Sequence, residues 1–252
     1  MRRGLQYGAV KIGKVKILVK AAGKTGGLDV EAKAMATLQD AIMGAMVASG
    51  GPITIKMPHR TVSGITGVAK TPGTPKSDFH CLDKNKKPVI FISHKKGKAP
   101  TDFQQWGGLT EDAIASNPLV QEFGVAAKAE YGESIPTGES LSADIGNSIE
   151  AKNLKMMSVF GVDSLTRKWG VNCVDVLIQG DPGLEATAKG VYKFTASGHV
   201  HFYGEIPTGG FEPVLALIYK GDRTNLGIKG ARGSIQPKAG RKYKRHITLK
   251  GK

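Results

Sequence analysis

An acid, a hydroxyl and a lysine come together in a predicted β-hairpin in the first half of the chain. The segments DFHCLD and PVIFISHKK, separated by a lysine-rich turn, predict two paired strands within residues 78–96. Asp78 then lies opposite Ser93, with Lys95 on the diagonal, and all three side chains leave the same face of the sheet. Phosphodiester hydrolysis requires a carboxylate that holds a divalent cation and a lysine that orients the attacking water or offsets phosphate charge. We therefore expect a catalytic cluster of Asp78, Ser93 and Lys95.

This geometry depends on the register of the hairpin. When Leu82 faces Val89, the residue numbers of opposed partners sum to 171, and Asp78 meets Ser93 at the open end of the hairpin. The apolar run from Val89 to Ile92 also predicts that the second strand is buried on both of its faces.

Further elements are predicted on both sides of the hairpin. Apolar residues recur at helical spacing over residues 28–48, and a short strand follows at 53–57. Asn117 followed by Pro118 predicts a capped helix that runs to residue 131. Residues 61–77 and 132–147 are rich in glycine, proline and small polar residues, and we expect both segments to be loops.

These motifs, taken in order, resemble the PD-(D/E)XK, or restriction-endonuclease-like, nuclease superfamily. The resemblance is carried by Ser77-Asp78, the hairpin, and the runs ISHKKG (92–97) and FQQWGG (103–108). That superfamily has a core of one helix, three strands with the acid and the (D/E)-x-K motif on the second and third, and then another helix. The resemblance covers about residues 28–131. It implies an α+β fold in which a mixed sheet is flanked by helices, here followed by a β-rich C-terminal portion.

The resemblance also implies roles for individual residues. Asp78 would be the metal-binding acid, Lys95 the motif lysine, and Mg²⁺ or Mn²⁺ the cofactor. The family often places a glutamate on the first helix that turns toward the metal, and Glu31 lies in the middle of that helix's apolar stripe. Ser93 occupies the position where the family usually has Asp or Glu. Either Glu31 supplies the second acid, or metal binding is weak and the site is degraded.

The charge of the chain points to a polyanionic partner. The net charge is +15, and it is divided unevenly: +13 over residues 1–100, −6 over 101–160 and +8 over 161–252. A basic balance of this size is most often associated with nucleic acid. We expect DNA, duplex or branched, as the partner, and a basic stretch at the C-terminus that is either a phosphate-binding surface or, beyond residue 238, a disordered solubilising tail. The side chains expected to position the nucleic-acid backbone are Lys96, Lys98, Gln105, Arg241, Lys242 and Lys244.

Three other patterns compete for a functional role. Glu150-Ala151-Lys152 matches E-x-K, but its surroundings predict a helix, on which residues two apart do not share a face. AAGKT (21–25) lacks the first glycine of a phosphate-binding loop. His199 and His201 share one strand face without further ligands at a useful spacing.

Composition limits the remaining possibilities. Two distant cysteines exclude a disulfide framework, no apolar run approaches the ~18 residues of a membrane span, and no signal peptide is evident. We expect a protein of the bacterial or phage-infected host cytoplasm that does not contact the membrane and can form a homodimer.

The composition changes near residue 158, which predicts a nuclease-like core at 1–157 and a β-rich basic region at 158–252. The expected function is metal-dependent DNA cleavage; the alternative is a non-catalytic nucleic-acid-binding or virion-associated structural protein.

Overall fold

The chain folds into an α+β structure with a large curled mixed sheet and few helices. The computed structural model describes the backbone of residues 7–12, 15–20 and 28–251, and the side chains of residues 30–251. The expected α+β class is confirmed. The helices are α1 (Leu28–Ser49), α2 (Asp112–Ala115), α3 (Pro118–Tyr131) and α4 (Ile149–Phe160), and short 3₁₀ turns lie at Pro100–Asp102, Val162–Thr166 and Gly209–Phe211.

The strands form one two-stranded, one eight-stranded and one five-stranded sheet in the described part of the chain. They are β1 (Tyr7–Ile12), β2 (Val15–Lys20), β3 (Ile53–Lys56), β4 (Thr61–Lys70), β5 (Phe79–Asp83), β6 (Pro88–Lys95), β7 (Gly107–Gly108), β8 (Ser140–Asp144), β9 (Val176–Gln179), β10 (Pro182–Ala188), β11 (Val191–Ala196), β12 (Val200–Phe202), β13 (Pro213–Asn225), β14 (Ile228–Pro237) and β15 (Arg245–Ile247).

The eight-stranded sheet has the order β10-β11-β3-β4-β5-β6-β9-β12. Strands β3 to β6 form an antiparallel meander, and β9 then joins β6 in parallel after a connection that contains the other helices. A parallel pair requires such a long connection, because the chain must return to the same end of the sheet. The five-stranded sheet has the order β15-β8-β13-β14-β7, and β1 and β2 form a separate hairpin.

Two apolar cores cover the two faces of the eight-stranded sheet. One face packs on α1, whose Ala34, Leu38 and Ile42 are fully or almost fully buried at the spacing that the sequence predicts. The other face packs, together with α3 and α4, on the five-stranded sheet. Since Val176 and Leu177 belong to different cores, β9 is buried on both faces, as expected for a parallel strand with layers on each side.

Local signals correctly locate α3. Asn117 has an extended backbone, and its side chain accepts a hydrogen bond from the Leu119 N–H at 3.0 Å, while Pro118 occupies the first helical position. The Asn117 Nδ2 donates to the Glu150 carbonyl oxygen at 3.1 Å, so the same residue joins α3 to α4.

Two segments predicted to be loops contain strands. Residues 61–70 form β4, and residues 140–144 form β8 between β13 and β15, so the loop prediction is wrong there. Both segments contain many Gly, Ser and Thr residues, whose weak local preference is overridden by pairing with strands on each side. Arg245–Ile247 forms β15 beside β8, so that part of the C-terminus is not a disordered tail.

The two predicted regions of the chain are interleaved in space. The expected boundary after residue 157 falls inside α4, and each of the two large sheets contains strands from both sides of it. The strands that follow the boundary, β9 to β15, do make the C-terminal portion rich in β-structure.

A buried carboxylate connects three parts of the eight-stranded sheet. Asp175, directly before β9, is fully buried and accepts hydrogen bonds from Arg60 Nε at 2.5 Å and Arg60 Nη2 at 2.6 Å. It also accepts from the Phe91 N–H of β6 at 2.9 Å and lies 3.1 Å from His59 Nε2. Trp169 stacks on the Arg60 guanidinium at 4.8 Å. The turn between β3 and β4 is thereby fixed to the middle of β6 and to the start of β9.

We expect Asp175→Asn to destabilise the protein by about 3–5 kcal/mol, because the Arg60 guanidinium then loses its carboxylate partner in a buried site. The free energy of unfolding in urea measures this loss. Asp40→Asn, an exposed change on α1, is the matched control and should change the stability by less than about 0.5 kcal/mol. Equal stability of the two variants would contradict the role assigned to Asp175.

Candidate functional site

The hairpin that carries the predicted motif is present with nearly the predicted register. Phe79 pairs with Ile92, His80 with Phe91, and Cys81 with Ile90. Their residue numbers sum to 171, as predicted. A bulge then shifts the pairing near the turn, so that Leu82 faces Pro88 instead of Val89. The bulge lies at the closed end of the hairpin and leaves the open end in the expected register.

Asp78 is held at the open end of this hairpin by contacts with the opposite strand. Its N–H donates to the Ile92 carbonyl oxygen at 2.9 Å. Its Oδ2 accepts from the His94 N–H at 2.5 Å and from the Ser93 hydroxyl at 3.3 Å. The buried Ser93 thus uses its hydroxyl to orient the acid. The Oδ1 atom of Asp78 makes no hydrogen bond with the described part of the chain and is free for a ligand.

Helix α1 brings a second carboxylate to the same place. Glu31 and Asp78 line a cavity of about 40 Å³ together with Lys70 and Phe79. Burial raises the pKa of the Glu31 carboxyl, the negative charge of Asp78 raises it further, and the charges of Lys70 and Lys95 partly oppose these effects. The predicted approach of Glu31 to Asp78 is therefore observed. Two acids share a partly buried site in which the charge of Asp78 disfavours the ionisation of Glu31.

Two lysines flank the pair of acids in different ways. The partly exposed Lys95, the last residue of β6, lines a cleft of about 320 Å³ together with Glu31. Lys76 donates from its Nζ to the carbonyl oxygens of Trp106 and Ser158, both at 2.5 Å, and joins the segment before Asp78 to α4. Burial lowers the pKa of Lys76 well below its usual range, and the charge of Lys95 lowers it further. Of these two lysines, Lys95 is the one that is accessible to a ligand.

The segment FQQW forms another wall of this cleft. Phe103 and Trp106 are buried in the core, with ring centroids 4.7 Å apart, while Gln104 and Gln105 between them line the cleft. Both glutamine side chains accept hydrogen bonds from Arg232 of β14: Gln104 Oε1 at 3.1 Å and Gln105 Oε1 at 2.5 Å. Burial of these two aromatic side chains therefore fixes the backbone from which the Gln104 and Gln105 side chains reach the cleft.

A tight turn leads from the motif lysine to this segment. Asp102 accepts hydrogen bonds from the Lys98 and Ala99 N–H groups, both at 2.7 Å, and these bonds lower the pKa of Asp102. Gly97 has φ = +73°, and a Cβ atom there would lie 2.2 Å from the Cβ of Asp102. The turn therefore requires glycine at position 97.

The residues predicted to bind nucleic acid lie in different places. Lys96 and Gln105 line the cleft, and Lys98 lines an adjoining pocket of about 360 Å³ beside His94. Lys244 is on another part of the surface, where its Nζ lies 3.1 Å from Glu139 Oε1. The structure places the exposed Lys242 in neither of these pockets, and Arg241 lies close enough to Arg232 to affect its pKa.

Three residues of the site were missed by the sequence analysis. Lys70 ends β4, a strand that was predicted to be a loop. Lys76 precedes Asp78 by two positions, and the period-two pattern of the strand could have placed it near the acid. Arg232 belongs to the basic C-terminal region of the sequence. No local signal places it in the cleft, because its position depends on the pairing of β14 with β7.

The competing patterns do not form sites in the described part of the chain. Glu150 and Lys152 are exposed on α4, as the prediction of a helix requires. His199 and His201 have stacked rings 6.0 Å apart, and burial lowers the pKa of His201 to about 4. The AAGKT segment (21–25) lies outside the described residues.

The described residues contain neither a larger cluster of metal-ligating side chains nor a membrane-spanning helix. No group of three or more His, Cys, Asp or Glu side chains in the described part of the chain is arranged to hold a metal ion. None of the helices in the described segments is long and apolar enough to cross a membrane.

Comparison of the chain with protein-family models, with curated proteins and with solved structures finds no match. The assignment of a function therefore rests on the residues and the geometry described above.

We expect Glu31→Gln to stabilise the protein at neutral pH, because it removes a carboxylate that burial and Asp78 both disfavour. The folded-state pKa of Glu31 is above its unfolded value of 4.5. The stabilisation should thus be absent below this pH, grow as pH rises toward the folded-state pKa, and then stay constant.

Thermal unfolding in a chelating buffer over a range of pH measures this effect, with Asp40→Asn on the same helix as the control. A variant that is less stable than the wild type at pH 7 would contradict the assigned electrostatics.

Proposed function

We propose that the protein is a metal-dependent nuclease that hydrolyses phosphodiester bonds in DNA. The observation that carries the proposal is the position of Glu31, which lines a cavity of about 40 Å³ together with Asp78 and the adjoining cleft of about 320 Å³ together with Lys95. Two acids and a partly exposed lysine around these adjoining spaces fit the hydrolysis of a charged phosphodiester. We extend the proposal to DNA because of the charge of +15.

The order of elements supports a restriction-endonuclease-like core. Helix α1 precedes the antiparallel strands β4, β5 and β6, with the acid directly before the second of these and the lysine on the third. Helices then follow, and β9 joins β6 in parallel. The strand β3 stands between α1 and β4, so the chain has one more strand before the motif than the superfamily pattern requires.

The acids of the cleft fit a divalent cation. Glu31 and Asp78 repel each other across a cavity of about 40 Å³, which has room for an ion or a water molecule. Hard cations such as Mg²⁺ and Mn²⁺ prefer carboxylate oxygens, and their charge would relieve this repulsion. Glu31 and the free Oδ1 of Asp78 would hold the ion. When bound, it would polarise the phosphate and lower the pKa of a water molecule.

The chain itself supplies the remaining functions. Lys95 offsets the charge of the phosphate and orients the attacking water at the edge of the cleft. The hydrogen bonds from His94 and Ser93 hold the Asp78 carboxylate in one orientation, so that little reorganisation is needed when substrate binds. Lys96 and Gln105 position the nucleic-acid backbone beside this point.

A specific observation favours a second candidate function. Ser93 stands where the superfamily has an acid, and its neutral hydroxyl, which donates to Asp78 Oδ2, brings no negative charge to a cation. A protein that binds nucleic acid without cutting it, such as a virion-associated structural protein, would fit the same charge and cleft. Pairing of two copies to cut both strands of a duplex is part of the nuclease proposal.

Plasmid cleavage with Mg²⁺ or Mn²⁺ tests the nuclease against the second candidate. We expect nicked or linear products from the wild type and a rate lower by about 10²-fold or more for Asp78→Ala and Lys95→Ala, since each removes a charge that acts on the reacting phosphate. Lys84→Ala, an exposed change at the closed end of the same hairpin, is the control and should cut like the wild type. A wild type that binds DNA but cuts none of its forms would favour the second candidate.

Metal binding can be measured without cleavage. Mg²⁺ or Mn²⁺ should raise the thermal stability of the wild type, by about 2.7 kcal/mol when the free ion is at a hundred times its Kd. Asp78→Asn should remove this ion-dependent gain, whereas Asp40→Asn should retain it. The same gain in Asp78→Asn and in the wild type would place the metal elsewhere.

A further inference from the structure

Three arginines lie close together beside the carboxylate cleft, although they are distant in sequence. Arg232 is on β14, Arg223 is on β13 where its pairing with β14 is interrupted, and Arg241 follows β14. Arg232 lines both the cleft that contains Glu31 and an adjoining groove of about 400 Å³, and Gln105 also lines both. Arg223 lines this second groove. A continuous surface therefore leads from Glu31 to Arg232 and Arg223, and Arg241 lies near enough to affect the pKa of Arg232.

The positive charges on this surface have no acidic partners in the described part of the chain. Arg60 and Arg245 each contact a carboxylate, as expected of arginines that stabilise the fold. Arg223, Arg232 and Arg241 form no ion pair with the described residues. Burial lowers the pKa of Arg232, and the charges of the other two arginines lower it further. Such a cluster of like charges is unfavourable by itself and favours the binding of an anion.

The guanidinium of Arg232 is oriented before any ligand binds. Its Nη1 and Nη2 each donate one hydrogen bond to a neutral glutamine amide, from Gln104 and Gln105. An arginine has five N–H donors, so three are left for a ligand. The planar group is thus fixed at the junction of the cleft and the groove with its charge unneutralised. This arrangement suits the oxygens of a phosphate group, which arginine binds in a forked geometry.

We propose that Arg223, Arg232 and Arg241 bind successive phosphates of one nucleic-acid strand and guide that strand into the carboxylate cleft. This inference rests on the proposed function, because it takes the strand at the cleft to be the substrate. The groove is continuous with the cleft, which favours a polymer over a single free anion. Because guanidinium groups that contact phosphates do not read base edges, the binding is independent of sequence.

The test measures binding in the absence of divalent cations, so that no cleavage can occur. The full chain is titrated against labelled DNA of about 20 nucleotides, single-stranded and duplex, between about 50 and 200 mM salt. We expect each of Arg223→Gln, Arg232→Gln and Arg241→Gln to weaken binding and to reduce the slope of log Kd against log salt by about 1.

One further variant separates the effect of charge from that of hydrogen-bond geometry, and a second controls for general effects of removing a surface charge. Arg232→Lys keeps the charge but loses the fork, so the slope should stay as in the wild type while Kd rises. Lys189→Gln is the matched control. Lys189 is exposed beside Gly190, which approaches Ser49 at the opposite end of α1 from Glu31, and this variant should bind like the wild type. Arg223 and Arg241 are exposed, so their variants keep the test valid if Arg232→Gln does not fold.

The outcomes of this test and of the cleavage test are distinguishable. Unchanged salt slopes in Arg223→Gln and Arg241→Gln, with the fold intact, overturn the inference even if the wild type cuts DNA. A wild type that binds no DNA also overturns it. If the arginine variants lose slope as expected but the wild type cuts nothing, the surface is supported and the nuclease function fails.

Discussion

The buried carboxylate of Asp175 is the constraint on which the arrangement of the site depends. Its contacts with Arg60 and the Phe91 N–H fix where β9 begins beside β6. Because the two strands are parallel, this register continues to their other end, where Lys95 is paired with Gln179. Gln179 Nε2 donates to the carbonyl oxygens of Lys96 and Ala99 and so holds the turn after the motif lysine. One end of the strand pair is anchored by an ion pair, and the other end carries Lys95.

The site contains charged groups in positions that are unfavourable for stability. Glu31 lies beside Asp78 although burial and the charge of Asp78 disfavour the ionisation of Glu31, and Lys76 is held on carbonyl oxygens where burial disfavours its charge. A fold selected only for stability would avoid both arrangements. Burial of apolar side chains in the two cores on either side of the eight-stranded sheet offsets this unfavourable electrostatic energy. The cores thereby hold α1 and the FQQW segment in place.

The fold brings basic residues from the two ends of the sequence together. The basic N-terminal and C-terminal regions are far apart in sequence, yet Lys95 and Arg232 line one cleft. The residues between them contribute α3, α4 and β8, which belong to the second core. Part of the basic C-terminal stretch is instead neutralised locally, as Lys244 is by Glu139. A basic net charge therefore favours a polyanionic partner, while ion pairs within the fold decide which basic side chains remain available to bind one.

The sequence by itself determined the features that depend on neighbouring residues. The apolar stripe of α1, the Asn117 cap of α3 and the alternation of β5 and β6 are all local patterns, and the pairing of Asp78 with Ser93 followed from them. The tertiary structure alone decided that residues 61–70 and 140–144 are strands, because their small polar residues have no strong preference until strands lie on both sides. It also decided that Arg232 reaches the cleft, since that contact joins residues more than a hundred positions apart. No local energy encodes such a contact; it exists only when the packed sheets bring the two segments together.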